Sequence, residues 1–281
     1  MREPEVIFRS MDNLGEGPLY DDRLDDLYWI DINNRKFHRY NLEREDLITF
    51  SMPGQISSLA LGKQDLLYAT LGHSIFSIRR DGKNTEVARL PLKPEERFND
   101  GKAGPMGVYV AGTMDKNEIS PIGSLYIYDG KIFKKILSDL KISNGLAWDL
   151  KREIFYHIDS PGKVVNAYSY TADMDLEHLG VAADLRDENG VPDGMCISED
   201  GVIFVSQWGG GKLSVWDPQA QKKLEEVIFP AKNITSCCFG GSDNSKLFVT
   251  SASEGPYDNY GGSLFSIDTD FKGGKQFRLK F

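Results

Sequence analysis

The sequence predicts an all-β protein, a six-bladed β-propeller that forms one domain over residues 1–281. One pattern recurs along the chain: a polar residue, an apolar stretch, a turn, and then a run rich in β-branched and aromatic residues. No window of a dozen residues keeps helical periodicity. Pro, Gly and Ser are spread along the whole chain, so no linker divides it.

Six copies of this pattern follow one another at nearly constant spacing. Their first residues lie 41, 42, 45, 49 and 43 residues apart. This period matches one four-stranded propeller blade, which takes about 40–50 residues. The copies begin at Glu16, Ser57, Asn99, Asn144, Asp193 and Ser236.

Each copy contains the strands and hairpins of one blade. After the opening strand comes a second strand, seen as YWIDI, LYATL, VYVAG, IFYHID, VIFVSQW and LFVTSA. Asp-Gly pairs at 81–82, 129–130 and 200–201 favour tight hairpin turns. The early segment VIFRS is expected to pair with GSLFSI or QFRLK near the end of the chain, which would close the ring and cover the sheet edges.

Charge and apolar distribution argue against nucleic-acid and membrane partners. The chain has 42 acidic and 33 basic residues, a net charge of −9, without a basic cluster. It has no run near the roughly 20 apolar residues of a membrane span and no apolar N-terminal stretch typical of a signal peptide. The three cysteines do not form a disulfide framework, which favours a cytoplasmic location, and the adjacent pair at 237–238 is interpreted as packed small residues.

The repeat predicts a ring of side chains around the channel axis, because equivalent positions in six blades meet at one end of the channel. The six opening residues all carry side-chain oxygen, and two of them are carboxylates. Inward carboxylates are costly unless they are neutralised, and carboxylate and amide oxygens are the ligands that hard divalent ions prefer. We therefore expect one divalent metal ion in a central channel. The alternative is that Glu16, Asn144 and Asp193, each followed by Gly, are ordinary turn residues.

Several motifs resemble the regucalcin/gluconolactonase family, and they occur in the family's order along nearly the whole chain. ISNGLAW, VPDGMCIS and TSCCFGG together are the most specific of them. The others are GEGP at 15–18, RFNDGK at 97–102, AGTM at 111–114 and FYHIDS at 155–160.

This resemblance implies a six-bladed propeller with one divalent ion, Ca²⁺, Zn²⁺, Mn²⁺ or Mg²⁺, that hydrolyses aldonolactones. It implies metal ligation by Glu16, Asn144 and Asp193, three members of the ring. It further implies that Arg97 and Asn99 bind the sugar part of the substrate.

The chain departs from the family pattern at Asn117, at Gly104, where an Asp is usual, and at Leu19 and Tyr20, where a Trp is common. Asn117 stands where regucalcin-like proteins carry an acidic residue that helps to bind substrate. We expect Asn117 to take this position, with Asp115, Lys116 and Glu118 as alternatives. Arg97 also has a simpler interpretation, as a solvated partner of neighbouring acidic residues.

Lactone hydrolysis requires an activated water, a polarised carbonyl and a stabilised oxyanion, and a divalent ion in an open site can serve these needs. We expect Asp193 to accept the proton of the attacking water, with a purely ligating role as the alternative. Two other functions stay open: a calcium-binding regulatory or interaction propeller without activity, and a metal-dependent esterase or phosphotriesterase.

Two further segments are candidates for the pocket wall. Trp208 follows the second strand of the fifth copy and either walls the pocket or packs in the core. The loop with Tyr257, Asp258 and Tyr260 either covers the channel or is an ordinary surface loop.

Overall fold

The computed structural model describes residues 1–255, 258–274 and 276–281. They form six antiparallel four-stranded sheets, the blades of a β-propeller. Blade 1 contains β2 (Gly15–Asp21), β3 (Asp26–Asp31), β4 (Lys36–Asn41) and β5 (Asp46–Ser51). Blade 2 contains β6 (Ile56–Leu61), β7 (Leu67–Leu71), β8 (Ser74–Ile78) and β9 (Asn84–Arg89).

The next three blades repeat this order. Blade 3 contains β10 (Glu96–Ala103), β11 (Tyr109–Asp115), β12 (Gly123–Tyr128) and β13 (Phe133–Leu140). Blade 4 contains β14 (Ser143–Asp149), β15 (Ile154–Asp159), β16 (Val164–Tyr170) and β17 (Leu176–Asp184). Blade 5 contains β18 (Val191–Ile197), β19 (Ile203–Trp208), β20 (Lys212–Asp217) and β21 (Lys222–Ile228).

Blade 6 joins the two ends of the chain. It contains β22 (Asn233–Gly240), β23 (Lys246–Ala252), β24 (Leu264–Asp268) and, at its outer edge, β1 (Glu5–Phe8). The strands β1 and β24 pair with Val6 opposite Phe265, so the expected partner GSLFSI is confirmed over QFRLK. Pairing the edge of the last sheet with the first strand closes the ring and removes an open sheet edge.

The prediction of an all-β six-bladed propeller is confirmed. Helical structure in the described part of the chain is limited to two short 3₁₀ turns, Pro105–Gly107 and Ser160–Gly162. No helix among these residues is long and apolar enough to cross a membrane.

The first strand of each copy lies innermost and lines the axis. Inner strands of neighbouring blades contact each other, as β6 does with β10 and β14 with β18. β6, β14 and β22 are buried along their full length, whereas the outer strands β5 and β9 are largely exposed. Because the inner strands are buried, polar side chains at their first residues need hydrogen-bond or charge partners.

The hydrophobic core fills the spaces between blades. Between blades 1 and 2 it contains Ile30, Phe37 and Ile56, which are almost inaccessible to solvent. Between blades 5 and 6 it contains Phe204 and Phe265, together with two of the cysteines. Burial of one such side chain contributes about 1.5–3 kcal/mol, so blade-to-blade packing supplies much of the stabilisation.

The described residues of the C-terminal segment, 269–274 and 276–281, add no strand to a blade. The segment crosses one face of the ring, donating from Leu279 N to Leu61 O (2.8 Å) and from Lys280 N to Gly107 O (2.9 Å). Arg278 forms an ion pair with Asp21, a buried carboxylate of blade 1. The segment therefore ties blades 1, 2 and 3 together at that face.

Candidate active site

All six inner strands break their hydrogen-bonding register at the start of the repeat. Each break is a β-bulge, which re-aims the side chains of the residues left unpaired. The breaks lie between Glu16 and Leu19, Ile56 and Ser58, Phe98 and Gly101, Asn144 and Leu146, Pro192 and Met195, and Ile234 and Ser236. The residues that open the six sequence copies therefore lie at or next to equivalent irregularities.

Blades 3 and 4 are joined at this level by amide side chains. Asn99 Nδ2 donates to Asn144 Oδ1 (2.8 Å) and to the carbonyl oxygen of Ser143 (3.0 Å). Arg97 Nη1 donates to Asn99 Oδ1 (2.8 Å) and to its neighbouring carbonyl at Phe98 (2.9 Å). Asn99 and Asn144 are buried, and Arg97 is half-buried. These contacts bring three of the predicted residues into one chain of hydrogen bonds.

A second chain of hydrogen bonds runs from blade 4 to blade 5. Asn144 Nδ2 donates to Ser160 Oγ (2.8 Å), and Ser160 Oγ donates to Pro192 O (2.7 Å). Ser160 follows β15 in a 3₁₀ turn and is buried. Because Pro192 immediately precedes Asp193, Ser160 holds the amide of one predicted ligand next to the backbone of another.

The carboxylates of Glu16 and Asp193 act on each other electrostatically. Burial raises the pKa of Asp193 well above its usual value, and the negative charges of Glu16, Asp100 and Glu118 raise it further. Burial also raises the pKa of Glu16 to about 8, as does the charge of Asp100. The N–H of Gly17, which donates to Glu16 Oε2 (2.8 Å), acts in the opposite direction.

Asp100 and Lys102 are additional charged groups of the channel. Burial raises the pKa of Asp100, while the Lys102 ammonium and the Gly101 N–H lower it. The second carboxylate oxygen of Asp100 is buried without a hydrogen-bond partner. Lys102 Nζ donates to the carbonyl oxygen of Met195, across the channel on blade 5. The Lys102 ammonium thus acts on two of the carboxylates, those of Asp100 and Glu16.

The side chains of Glu16, Asn144 and Asp193 offer only oxygen atoms to a divalent ion. No group of three or more His, Cys, Asp or Glu side chains lies in metal-binding arrangement within residues 1–255, 258–274 and 276–281. The predicted set contains only two such residues, Glu16 and Asp193, with a carboxamide from Asn144. Hard oxygen donors and an excess of buried negative charge fit a hard divalent cation.

Sequence reasoning did not include Asp100, Lys102 or Ser160 in the site. Asp100 directly follows Asn99, within the same bulge, and this adjacency is a signal that the sequence offers. Ser160 lies in the motif FYHIDS, but its contact with Pro192 spans 32 residues and cannot be read from spacing.

The side chains of Asp115, Lys116 and Glu118, the alternatives to Asn117 as substrate-binding residues, have different contacts in the loop after β11. The Asp115 carboxylate accepts hydrogen bonds from the backbone N–H groups of Asn117 (3.0 Å) and Ser120 (2.9 Å), so it holds the loop itself. Lys116 Nζ donates to a backbone carbonyl, that of Pro94. Burial lowers the pKa of Arg97, and the charge of Glu118 opposes that shift. Burial raises the pKa of Asp193, and the charge of Glu118 adds to that shift. Glu118 is therefore the acid of this loop whose field reaches the predicted site.

Two other segments can be placed. Trp208 is 40% exposed at the end of β19, opposite Val191, so the interpretation as a core residue is wrong. Asp258 accepts from Gly261 N (2.7 Å) and holds its own loop, and Arg9 lies 4.8 Å from the ring centre of Tyr260. Tyr257 lies outside the described residues.

A cavity of about 390 Å³ lies on the axis beyond the ring. Its walls come from later positions of the same inner strands and include Leu59, Trp148 and Cys196, with Phe277 from the C-terminal segment. Asp100 and Lys102 also line this cavity. Glu16, Asn144 and Asp193 are not among its lining residues, so the cavity and the predicted metal site occupy different levels of the channel.

Comparison with known proteins decides the family. A family model described as the SMP-30/gluconolactonase/LRE-like region matches residues 14–253, most of the chain. The chain belongs to this family. The resemblance inferred from ISNGLAW, VPDGMCIS and TSCCFGG is thereby confirmed.

Relatives and solved structures agree with the family match. Regucalcin of Gallus gallus is 36% identical over 264 residues, with 89% of this chain and 87% of the relative covered. An uncharacterized protein of Sulfolobus acidocaldarius is 34% identical, with 95% and 96% covered. The structure of a luciferin-regenerating enzyme superposes with a TM-score of 0.92 at 27% identity, covering 99% of both chains. A calcium-binding regucalcin of Agrobacterium tumefaciens has the same fold, with a TM-score of 0.91, 24% identity and 98% and 97% covered.

Proposed function

We propose that this propeller is a divalent-metal-dependent lactonase that hydrolyses a sugar-acid lactone of the gluconolactone type. Family membership supports the reaction class, because gluconolactonase is part of the family's description and regucalcin is a relative. The observation that carries the proposal is the hydrogen-bonded chain through Ser160, which holds the Asn144 carboxamide next to the backbone that precedes Asp193. The charge of Glu16 also acts on the Asp193 carboxylate.

Glu16, Asn144 and Asp193 would hold the ion, which is Ca²⁺, Zn²⁺, Mn²⁺ or Mg²⁺. Two buried carboxylates repel each other, and a hard cation would offset that repulsion and their desolvation. When bound, such an ion polarises the lactone carbonyl, stabilises the oxyanion and lowers the pKa of water. A carbonyl oxygen has two lone pairs, so Asn144 Oδ1 can accept from Asn99 and still present one lone pair to a cation.

Asp193 accepts the proton of the attacking water in this proposal. A bound cation would keep the Asp193 carboxylate ionised, and an ionised carboxylate next to water can accept its proton. The Ser160–Pro192 hydrogen bond restrains the backbone next to it, which limits the positions that the carboxylate can take.

Arg97, Asn99 and Asn117 orient the sugar. Arg97 has a planar set of N–H donors suited to vicinal hydroxyls or a carboxylate. Asn99 links Arg97 to Asn144, so substrate binding and ligand placement share one hydrogen-bonded chain. In the loop that carries Asn117, Glu118 supplies negative charge to accept hydrogen bonds from hydroxyl groups.

The test is a substrate panel on protein of known metal content. Elemental analysis after purification identifies the ion, and hydrolysis of gluconolactone, xylonolactone, a simple aryl ester and a phosphotriester is measured with each of the four metals. Preferential, metal-dependent lactone turnover supports the proposal. Preferential ester or phosphotriester turnover indicates the esterase alternative, and metal binding without any turnover indicates a binding propeller.

Asp193→Ala tests the assigned residue. We expect lower metal affinity and a loss of turnover of at least 100-fold, in the range of a lost general base. Asp173→Ala, at an exposed turn residue, is the matched control and should leave both unchanged. Turnover at the wild-type level in Asp193→Ala would contradict both the ligand and the base role.

Arg97→Ala separates substrate binding from metal binding. The variant should raise KM for the lactone by about tenfold or more while metal affinity changes little, because Arg97 contacts the predicted ligand only through Asn99. An unchanged KM would contradict a substrate role for Arg97.

A further inference from the structure

Two of the three cysteines meet at the boundary between blades 5 and 6. Cys196 lies on the inner strand β18, and Cys237 lies on the inner strand β22. Their sulfur atoms are 3.4 Å apart, although the residues are 41 positions apart in sequence. Both are free thiols in the structure and both are buried. Neither is part of the proposed metal or substrate site.

We propose that Cys196 and Cys237 form a reversible disulfide between blades 5 and 6, with a hydroperoxide as the oxidant. A disulfide has an S–S length of about 2.05 Å, so the two sulfur atoms must approach by roughly 1.4 Å. Inner strands of these blades already contact each other, so this movement falls within side-chain rotation.

Alternation along β22 selects Cys237 over its neighbour Cys238. Successive side chains of a strand point to opposite faces. Cys237 packs with Cys196, Phe204 and Phe239 between blades 5 and 6. Cys238 packs on the other side with Tyr20 and other aromatic residues of blade 1. Only Cys237 therefore faces Cys196.

The charge around the pair favours thiolate on Cys237. Burial raises the pKa of Cys237, but the hydrogen bond with Cys196 and the positive charge of Lys102 outweigh it, so the pKa lies below the usual value. Burial and the neighbouring Cys237 raise the pKa of Cys196. A thiolate is the nucleophile in disulfide formation, so Cys237 is the attacking partner.

The axial cavity gives an oxidant access to Cys196, which lines it. In the first step the sulfur of Cys196 attacks the O–O bond of the hydroperoxide, forming a sulfenic acid and releasing water or an alcohol. In the second step the Cys237 thiol gives up its proton, its sulfur attacks the sulfenic sulfur of Cys196, and the S–O bond breaks; the departing hydroxide combines with that proton as water. Two thiols thus lose two electrons and two protons, and the peroxide gains both.

The link would tie the closing blade to its neighbour. Blade 6 is completed by β1 from the N-terminus and otherwise relies on hydrogen bonds and packing to stay in the ring. A covalent bond between β18 and β22 restricts opening at this boundary. Reduction by thiols restores the free pair, so the bond can report the redox state of the surroundings.

The test treats the folded protein with hydrogen peroxide, blocks the remaining thiols after denaturation, and maps tryptic peptides by mass spectrometry. We expect loss of two of the three free thiols and a crosslink between the peptides 187–212 and 233–246, reversed by dithiothreitol. The thermal midpoint of the oxidised protein should exceed that of the reduced protein.

Variants identify the partners and keep the test independent of activity. Cys238→Ala should retain the crosslink and the higher midpoint, whereas Cys237→Ala should lose both. Circular dichroism checks that each variant is folded. If Cys237→Ala does not fold, Cys196→Ala takes its place, because it should also lack the crosslink. Oxidation without a crosslink, a link through Cys238 or a link only between separate molecules would each overturn the proposal.

Discussion

The carboxylate of Glu16 should destabilise the metal-free protein, so we expect Glu16→Gln to stabilise it. The amide of Gln has nearly the same shape and can still accept from the Gly17 N–H, but it carries no charge near Asp193 and Asp100. Removing the charge therefore isolates the electrostatic cost of bringing carboxylates together in the channel.

The magnitude follows from the pKa of Glu16, which is about 8 in the folded protein against a usual value of 4.5. At pH 7 the unfolded side chain has lost its proton while the folded one keeps it. This difference extends over about 2.5 pH units, or about 3.4 kcal/mol at ~1.36 kcal/mol per unit. Glu16 is partly open to solvent, so screening reduces the gain to about 1–2 kcal/mol. In a protein of 281 residues that corresponds to about 2–3 °C in thermal midpoint.

The contribution of Glu16 to the stability of the metal-free protein changes with pH in a defined direction. Because the folded state holds this proton more tightly, the metal-free wild type should lose stability as pH rises from 4.5 towards 8. Glu16→Gln should remove that part of the slope. The assay is urea unfolding of chelator-treated protein between pH 5 and 8, and addition of a divalent metal should stabilise the wild type more than the variant.

The control is Glu177→Gln, an exposed position on β17 where the same change should alter stability by no more than about 0.5 kcal/mol. If Glu16→Gln is no more stable than wild type without metal and keeps the same pH slope, the two carboxylates do not converge, and the proposed metal site fails with them.

Three further predictions concern buried contacts elsewhere in the ring. Burial lowers the pKa of His157 to about 3 from a usual 6.5, so acidification from pH 6.5 to 5 should cost about 2 kcal/mol, and His157→Gln should show a shallower acid dependence in urea unfolding. Gly194→Ala should destabilise by about 1–3 kcal/mol in thermal unfolding, because the added methyl would lie 2.1 Å from Ser236 Oγ and 2.8 Å from its Cα. Arg278→Ala should destabilise by about 1–3 kcal/mol and speed proteolysis of the C-terminal segment, because it removes the closer ion pair of the buried Asp21 carboxylate and leaves only Arg23, at 3.9 Å. A stability equal to wild type in any of the three would contradict the corresponding contact.

Several features of the protein could be predicted from local sequence. The period of 41 to 49 residues and the β-rich runs predict six four-stranded blades because strand propensity, turn residues and alternation act over only a few neighbours. The same repeat identified the inner-strand positions where Glu16, Asn99, Asn144 and Asp193 lie. Closure of the ring through VIFRS followed from the need to cover a sheet edge.

Only the tertiary structure shows which side chains of different blades contact each other. The contact of Lys102 with Met195 and the meeting of Cys196 with Cys237 depend on blade-to-blade packing.

The course of the C-terminal segment across one face likewise depends on contacts with residues such as Leu61, far away in the chain. A repeating pattern specifies each blade, because its hydrogen bonds join consecutive strands. It does not specify the angle and depth at which blades pack, since these follow from the shapes of many side chains at once. The sequence by itself therefore determined the blades and the opening residues of their inner strands, and only the packed ring decided which side chains meet.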